Sequence, residues 1–235
     1  VMVMVTILMH FAPFGVFCLL AKLFTAQGFS AIINLALYFG TMVFVLCLHA
    51  SMTYSTIFAV LTRLNPLTLF KNMRPAMLFA FSTASSNATM PVTLNVAKTR
   101  LGANNSIASF TVPLGATVNM DGTAIMQGIA TVFIAQAYGL DLSMGEYLAV
   151  VATATLASIG TAGVPGVGLI TLAMVLQQVG LPVEGIALII GVDRLLDMLR
   201  TVVNVSGDGM VTAVVADSEG MLDHEIFNQD ADLGD

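Results

Sequence analysis

The chain has 235 residues, 57% of them hydrophobic and 9% charged, with no tryptophan and a formal net charge of −6. A water-soluble domain carries roughly a quarter charged residues, so this composition, with a mean hydropathy of +0.91, excludes an ordinary soluble globule and points to a polytopic membrane protein. The charge is uneven: the first acidic residue is Asp121, and seven of the fourteen follow residue 216.

In chain order, apolar windows at 1–28 and 31–62 each reach the roughly 20 residues that a bilayer-spanning helix needs. The sequence opens on Val1 and is apolar at once, without the basic, apolar and small-residue order of a signal peptide, which reads as a piece of a longer chain. Cys18 and Cys47 fall in these windows and are expected to pack rather than to pair or bind metal. His10, His49 and His224 share no ligand spacing, so zinc chemistry has no foothold, and each is expected to be packed or solvated. Arg63, Lys71 and Arg74, then Lys98 and Arg100, form short basic loops of the kind found on the cytoplasmic side.

The apolar stretch 73–98 carries FSTASSNATMP at 81–91, with basic residues at both ends. If both ends are cytoplasmic the segment enters and returns, and its polar tip sits where backbone survives only against protein or a water-filled cavity. A third long window, 106–137, holds TVNMDGT at 117–123. Asn119 and Asp121 are oxygen ligands two residues apart, and Gly122 would let the helix unwind so that both face one point; the alternative is that Asp121 and Thr123 merely cap a broken helix. The stretch 143–180 repeats the hairpin design with ASIGTAGVPG at 157–166, whose glycines and Pro165 interrupt a helix. A fourth window, 184–216, contains DRLLDMLRTVVNVSGD at 193–208. A hairpin followed by a polar-bearing helix thus occurs twice, the pointer to a secondary-transporter site near the bilayer midplane.

At 100° per residue, Asp193, Asp197, Arg200, Thr201, Asn204 and Asp208 fall within an arc of about 100°. The opposite arc, with Leu195, Met198, Val202 and Val205, suits lipid or apolar packing. A charge at mid-bilayer costs at least about 2.5 kcal/mol, so these groups must pair with one another, with a ligand or with ions. A salt-bridge ladder from Asp197 to Arg200 or Arg194 is one reading; carboxylate and amide oxygens around a hard cation, sodium among them, is the other. The tail 217–235 is acidic and turn-rich and is expected to be mobile.

The strings NMDGT at 119–123, SSNAT at 85–89, ASIGTAGVPG at 157–166 and DxxLDMxRTxxNVxGD at 193–208 resemble the dicarboxylate/amino-acid:cation symporters, a family that includes glutamate and aspartate transporters. The resemblance covers nearly the whole chain, with the motifs in the family's order. It implies an all-α polytopic membrane protein in which two re-entrant hairpins form an inverted-repeat transport core. Four regions follow: two transmembrane helices at 1–62, a cytoplasmic-side hairpin and broken helix at 63–137, an extracellular-side hairpin and last helix at 138–216, and the disordered tail.

The resemblance further implies that Asp197 receives a substrate ammonium, Arg200 a side-chain carboxylate, and Thr201 and Asn204 the remaining polar atoms. Ser85, Ser86, Thr123, Val164, Pro165 and Gly166 would complete the pocket. One cation would draw on Gly115, Asn119, Asn204 and Asp208, another on Thr117, Ser158, Ile159 and Thr161, and a third on Asn119 with Asp121. The expected partners are an acidic amino acid, sodium or protons, the bilayer of a cell inner membrane with the tail cytoplasmic, and two further copies in a trimer; neither enzymatic activity nor a nucleic-acid partner is expected. Acidic amino-acid transporters of the family commonly carry a second arginine where this chain has Ala84 or Met198, and members have about eight spans whereas this chain begins near the fifth. A dicarboxylate or neutral amino-acid carrier of the same family, or an ion channel, are the other readings; no GxSxG, HExxH or Cys/His pair supports an intramembrane enzyme.

Overall fold

A computed structural model describes residues 30–229 together with Phe14, Phe17, Cys18, Ala21 and Thr25. The window at 1–28 therefore lies almost wholly outside the described residues. Within them the chain is all-helical, relieved by one antiparallel bridge, Ala103 to Leu222.

The first rod is continuous. Helix α1, Ser30–Leu48, passes through a π-helical turn, His49–Tyr54, into α2, Ser55–Thr62, and ends where Arg63 turns left-handed with φ of 59°. Its stretch Ile33–Thr62 is long and apolar enough to cross a membrane. Cys47 sits on its exposed side and Cys18 is exposed too, so the expected packing of the two thiols is not seen; that side is unusually apolar, with Ile33, Leu37 and Phe44 all about two-thirds exposed.

Two helical hairpins follow the sequence signals. Asn65 caps α3, Pro66–Thr83, by accepting the Leu67 amide at 2.9 Å, with Pro66 in the first turn, where a missing N–H costs nothing. Ala84, with φ of 49°, turns the chain, and the Ser85 hydroxyl caps α4, Ser86–Thr99. At 1.5 Å per residue these arms are roughly 27 and 21 Å long, short of a 30 Å hydrocarbon core. The second hairpin pairs α7, Met144–Ser158, begun by a capping box between Ser143 and Glu146, with α8, Val167–Gln178, begun at the left-handed Gly166.

Between the hairpins the window 106–137 is broken into α5, Asn105–Val118, and α6, Asp121–Ala137. The break falls at Asn119 and Met120 rather than at Gly122, which lies in the first turn of α6. Gly122 serves close approach instead: a Cβ there would sit 2.8 Å from the Arg200 carbonyl oxygen. After a 3₁₀ turn, Val183–Leu188, comes α9, Ile190–Ser218, the hub of the fold, packed against α1, α3, α4, α5 and α6. Residues 203–210 are buried on every side of it, so in the arc expected to suit lipid or apolar packing Val205 is packed inside while Leu195 is 54% exposed. The molecule's outer surface is apolar, with Phe110, Leu148 and Ile170 each about two-thirds exposed, as befits groups facing hydrocarbon.

The tail departs from the expectation of disorder. Residues 219–229 fold back as a strap that exchanges two backbone hydrogen bonds with the exit of the first hairpin. The Asn104 amide donates to the Met221 carbonyl at 3.0 Å and the Asp223 amide to the Gly102 carbonyl at 2.8 Å. Asp223 caps α10, His224–Asn228, through the amides of Glu225 and Ile226. Phe227 is fully buried against Phe58 of α2, and its carbonyl accepts from Asn72 of α3 at 2.9 Å. The acidic composition hid two apolar anchors, Leu222 and Phe227; residues 230–235 lie outside the described residues. Phe227→Ala is expected to leave the fold intact but to raise the rate of proteolytic cutting within 219–229 about tenfold, the effect of loosening a local contact by ~1.4 kcal/mol.

Candidate functional site

The polar face of α9 meets both hairpin tips and the α5–α6 break. Arg200 is 1% exposed. One of its nitrogens, Nη2, lies 2.9 Å from Asp197 Oδ1 and 3.1 Å from Asp193 Oδ1. Its Nε and Nη1 are buried without hydrogen-bond partners among the described residues. Gly168, in the second arm of the second hairpin, leaves the space beside Nη1: a Cβ there would stand 3.5 Å away and 2.9 Å from the Met126 methyl. The salt-bridge ladder that the sequence allowed therefore forms between Asp197 and Arg200. Arg194 is exposed and makes no ion pair among the described residues.

The two tips touch. The Ser85 hydroxyl donates to the Gly163 carbonyl at 2.6 Å, and the Asn87 amide donates to the same oxygen at 3.0 Å. The Gly166 amide donates to Asp197 Oδ2 at 3.0 Å, so both oxygens of Asp197 are engaged, one by Arg200 and one by the second tip. Ser86, Thr123 and Thr201 are buried around this point, with Thr201 donating to the Asp197 carbonyl at 2.8 Å. Pro165 is partly buried, and Val164 stands 44% exposed above it.

The candidate cation ligands are brought together in groups. Asn119 Nδ2 donates to Asp208 Oδ1 at 2.9 Å and to the Asn204 carbonyl at 3.2 Å, while Gly115 lies so close to Asp208 that any Cβ would strike its carboxylate. To offer oxygen instead, the Asn119 amide need only turn about its terminal bond. The Asn204 side chain is spoken for: Oδ1 accepts the Gly122 amide at 2.8 Å, and Nδ2 faces Met120 Sδ at 3.3 Å. The second tip docks on the end of α5, its Gly160 amide donating to the Thr117 carbonyl at 2.7 Å, which sets the buried Ser158 and Thr161 beside it; Ile159 is 48% exposed.

Asp121 does not join Asn119. Its Oδ2 accepts from the Tyr54 hydroxyl at 3.0 Å and lies 3.2 Å from His49 Nε2. Residues five apart in an α-helix diverge, but i→i+5 bonding in the π-helical turn sets His49 and Tyr54 on one side, their rings edge to face at 4.7 Å. Sequence reasoning, which expected His49 to be packed or solvated, missed both partners because nothing local links them to Asp121, 72 and 67 positions further on. It also missed Gln127, a fully buried amide of α6 that donates to the Thr171 hydroxyl at 2.7 Å and so ties α6 to the second arm of the second hairpin.

Residues 1–218 match the family described as SDF: Sodium:dicarboxylate symporter family. The chain belongs to that family. Among curated proteins it is similar to "Excitatory amino acid transporter" of Caenorhabditis elegans, 42% identical over 217 residues, 92% of this chain and 43% of that protein. "Excitatory amino acid transporter 3" of Mus musculus is 43% identical over 215 residues, 91% of this chain and 41% of its own. "Excitatory amino acid transporter 1" of Homo sapiens is 38% identical over 236 residues, 100% and 43%. The chain thus spans about two fifths of the length of these relatives. The family resemblance seen in the four motifs is borne out, and this symporter-family chain places those motifs around one point.

Proposed function

We propose that the full-length protein is a secondary active transporter that couples inward movement of an acidic amino acid, glutamate or aspartate, to a cation, with sodium favoured over protons. The observation that carries this is Arg200: a fully buried guanidinium whose Nε and Nη1 have no hydrogen-bond partner among the described residues, beside Asp197 and beneath two abutting tips. A planar guanidinium edge fits a carboxylate bidentately, and Asp197 suits an ammonium. An enzyme is not needed to explain these groups. A dicarboxylate would meet the negative charge of Asp197, and a neutral amino acid would leave the Arg200 edge buried and unpaired. Of the cation groups, that around Gly115, Asn119, Asn204 and Asp208 is the most closely assembled, with Thr117, Ser158, Ile159 and Thr161 as a second and Asn119 with Asp121 as a third.

In this reading the hairpins are re-entrant in the membrane and related by an inverted repeat, with the first facing the cytoplasm along with the basic loops and the strap. The protein is multi-pass in a cell inner membrane and works as a homotrimer. Cations neutralise carboxylates near Asp208 and order the second tip, which closes over the amino acid, and the closed core then moves as an elevator against a scaffold. Ser85, Ser86, Thr123, Val164, Pro165, Gly166, Thr201 and Asn204 shape the pocket. Calorimetric titration of the full-length protein with L-aspartate, L-glutamate, succinate and L-serine, in sodium and in choline at fixed pH, tests this. Acidic amino-acid binding that needs sodium is expected; equal binding in both salts would remove sodium coupling, and a preference for succinate would overturn the role of Asp197.

A further inference from the structure

Four formal charges lie within eight residues of α9, two aspartates and two arginines, but Arg194 is exposed and makes no ion pair among the described residues, so both aspartates turn to one buried cation, Arg200. Asp197 already pairs with Arg200 Nη2 at 2.9 Å, yet Asp193 approaches the same nitrogen at 3.1 Å. Asp193 is 4% exposed and its Oδ1 makes no well-aligned hydrogen bond, so it touches Arg200 as a charge rather than as a fixed acceptor. Tyr38 of α1 also closes on this pair from outside α9; it is 3% exposed, and its hydroxyl has no hydrogen-bond partner among the described residues and lies in the field of both charges. One carboxylate suffices to neutralise one guanidinium. A second, buried and nearly unbonded, is costly unless it has a use.

The use follows from how Asp197 is occupied. Its Oδ1 is held by Arg200 and its Oδ2 by the Gly166 amide of the second tip. To receive an ammonium it must yield one of these contacts, and yielding Arg200 would leave that guanidinium with Asp193 as its sole protein counter-charge. We propose that Asp193 is the reserve counter-ion of Arg200, a positioning residue that frees Asp197 to bind a substrate ammonium and thereby sets preference for amino acids over amine-free dicarboxylates. This rests on the acidic amino-acid reading above. Without Asp193, Arg200 draws wholly on Asp197, which penalises a substrate with an ammonium, while the site also becomes one charge less negative, which favours a dianion. Both effects move selectivity the same way.

The test compares L-aspartate and succinate binding to the full-length protein in sodium, for the unmodified protein, Asp193→Asn and Asp193→Glu. Sodium-dependent stabilisation against heat serves as the fold control. In Asp193→Asn, aspartate affinity is expected to fall at least about tenfold while succinate affinity holds or rises; Asp193→Glu, which keeps the charge, is expected to retain most of the aspartate preference. Equal weakening of both ligands in Asp193→Asn would make Asp193 a structural prop and overturn the proposal, as would no change in either ligand. Loss of preference in Asp193→Glu as large as in Asp193→Asn would overturn it too, and it keeps the proposal open to refutation should Asp193→Asn fail the fold control. If the unmodified protein bound neither ligand, the acidic amino-acid reading would fall and this inference with it; if it bound aspartate and Asp193→Asn behaved identically, only this inference would fall.

Discussion

Replacing Arg200 by alanine should abolish acidic-substrate binding while leaving cation binding in place. Truncating one member of a buried charge pair costs about 2–5 kcal/mol, which is at least roughly 30-fold in affinity and up to several thousand-fold. The prediction is specific because the cation groups around Asn119, Asp208 and Thr117 touch other atoms: Asn119 and Asp208 bond each other, and Thr117 accepts from Gly160. Arg200→Lys should not rescue, since an ammonium cannot present the two-nitrogen edge that is buried here without partners. Calorimetry with aspartate at saturating sodium, beside sodium-dependent melting in the same variants, separates the two losses. Tight aspartate binding by Arg200→Ala would reassign the carboxylate-binding role.

The second large effect belongs to a residue with no side chain. Gly122→Ala would place a methyl group 2.8 Å from the Arg200 carbonyl oxygen and 3.0 Å from both the Arg200 Cα and Asn204 Oδ1. Two of these atoms are backbone, and they belong to the helix at the centre of the packing, with Arg200 and Thr201 buried, so little can give. Overpacking of this kind costs about 1–3 kcal/mol, occasionally more. It would also break the Gly122 amide to Asn204 bond at 2.8 Å. The expected result is a lower melting temperature for the full-length protein together with loss of cation and substrate binding, because α6 and α9 are pushed apart where the two sites adjoin. An unchanged melting temperature would mean that the helices separate more easily than their packing indicates.

Much of this was legible in the sequence because the signals were local. The polar tip at 81–91 and the Gly and Pro run at 160–166 mark the two hairpin turns by chemistry within a few residues, and the 3.6-residue period of α9 puts Asp193 to Asp208 on one face, whereas Gly122, the glycine that suggested unwinding, lies inside α6 past the break at Asn119 and Met120. What the sequence concealed was long-range. The partners of Asp121 come from a rod some 70 residues earlier, and only a π-helical turn brings both to the same side. Arg200's divided allegiance could not be read from spacing either, since Asp193 and Asp197 are both within reach of it along one helix. The tail misled for a different reason: its average composition is that of a solvated segment, but docking depends on two side chains, Leu222 and Phe227, and on backbone groups of residues 102–104 that composition does not weigh.

That docking has a consequence for how the protein is made. The bridge partner of Ala103 lies 119 positions further along the chain. At about 5–20 residues per second of synthesis, the exit of the first hairpin waits roughly 6–24 s for Leu222 and Asp223, with the Gly102 carbonyl and the Asn104 amide unmet and the Phe58 ring uncovered. The hairpin is thus translated well before the strap that fastens it, and a factor that attends its birth at the membrane would find residues 100–104 open until residues 219–229 had been threaded.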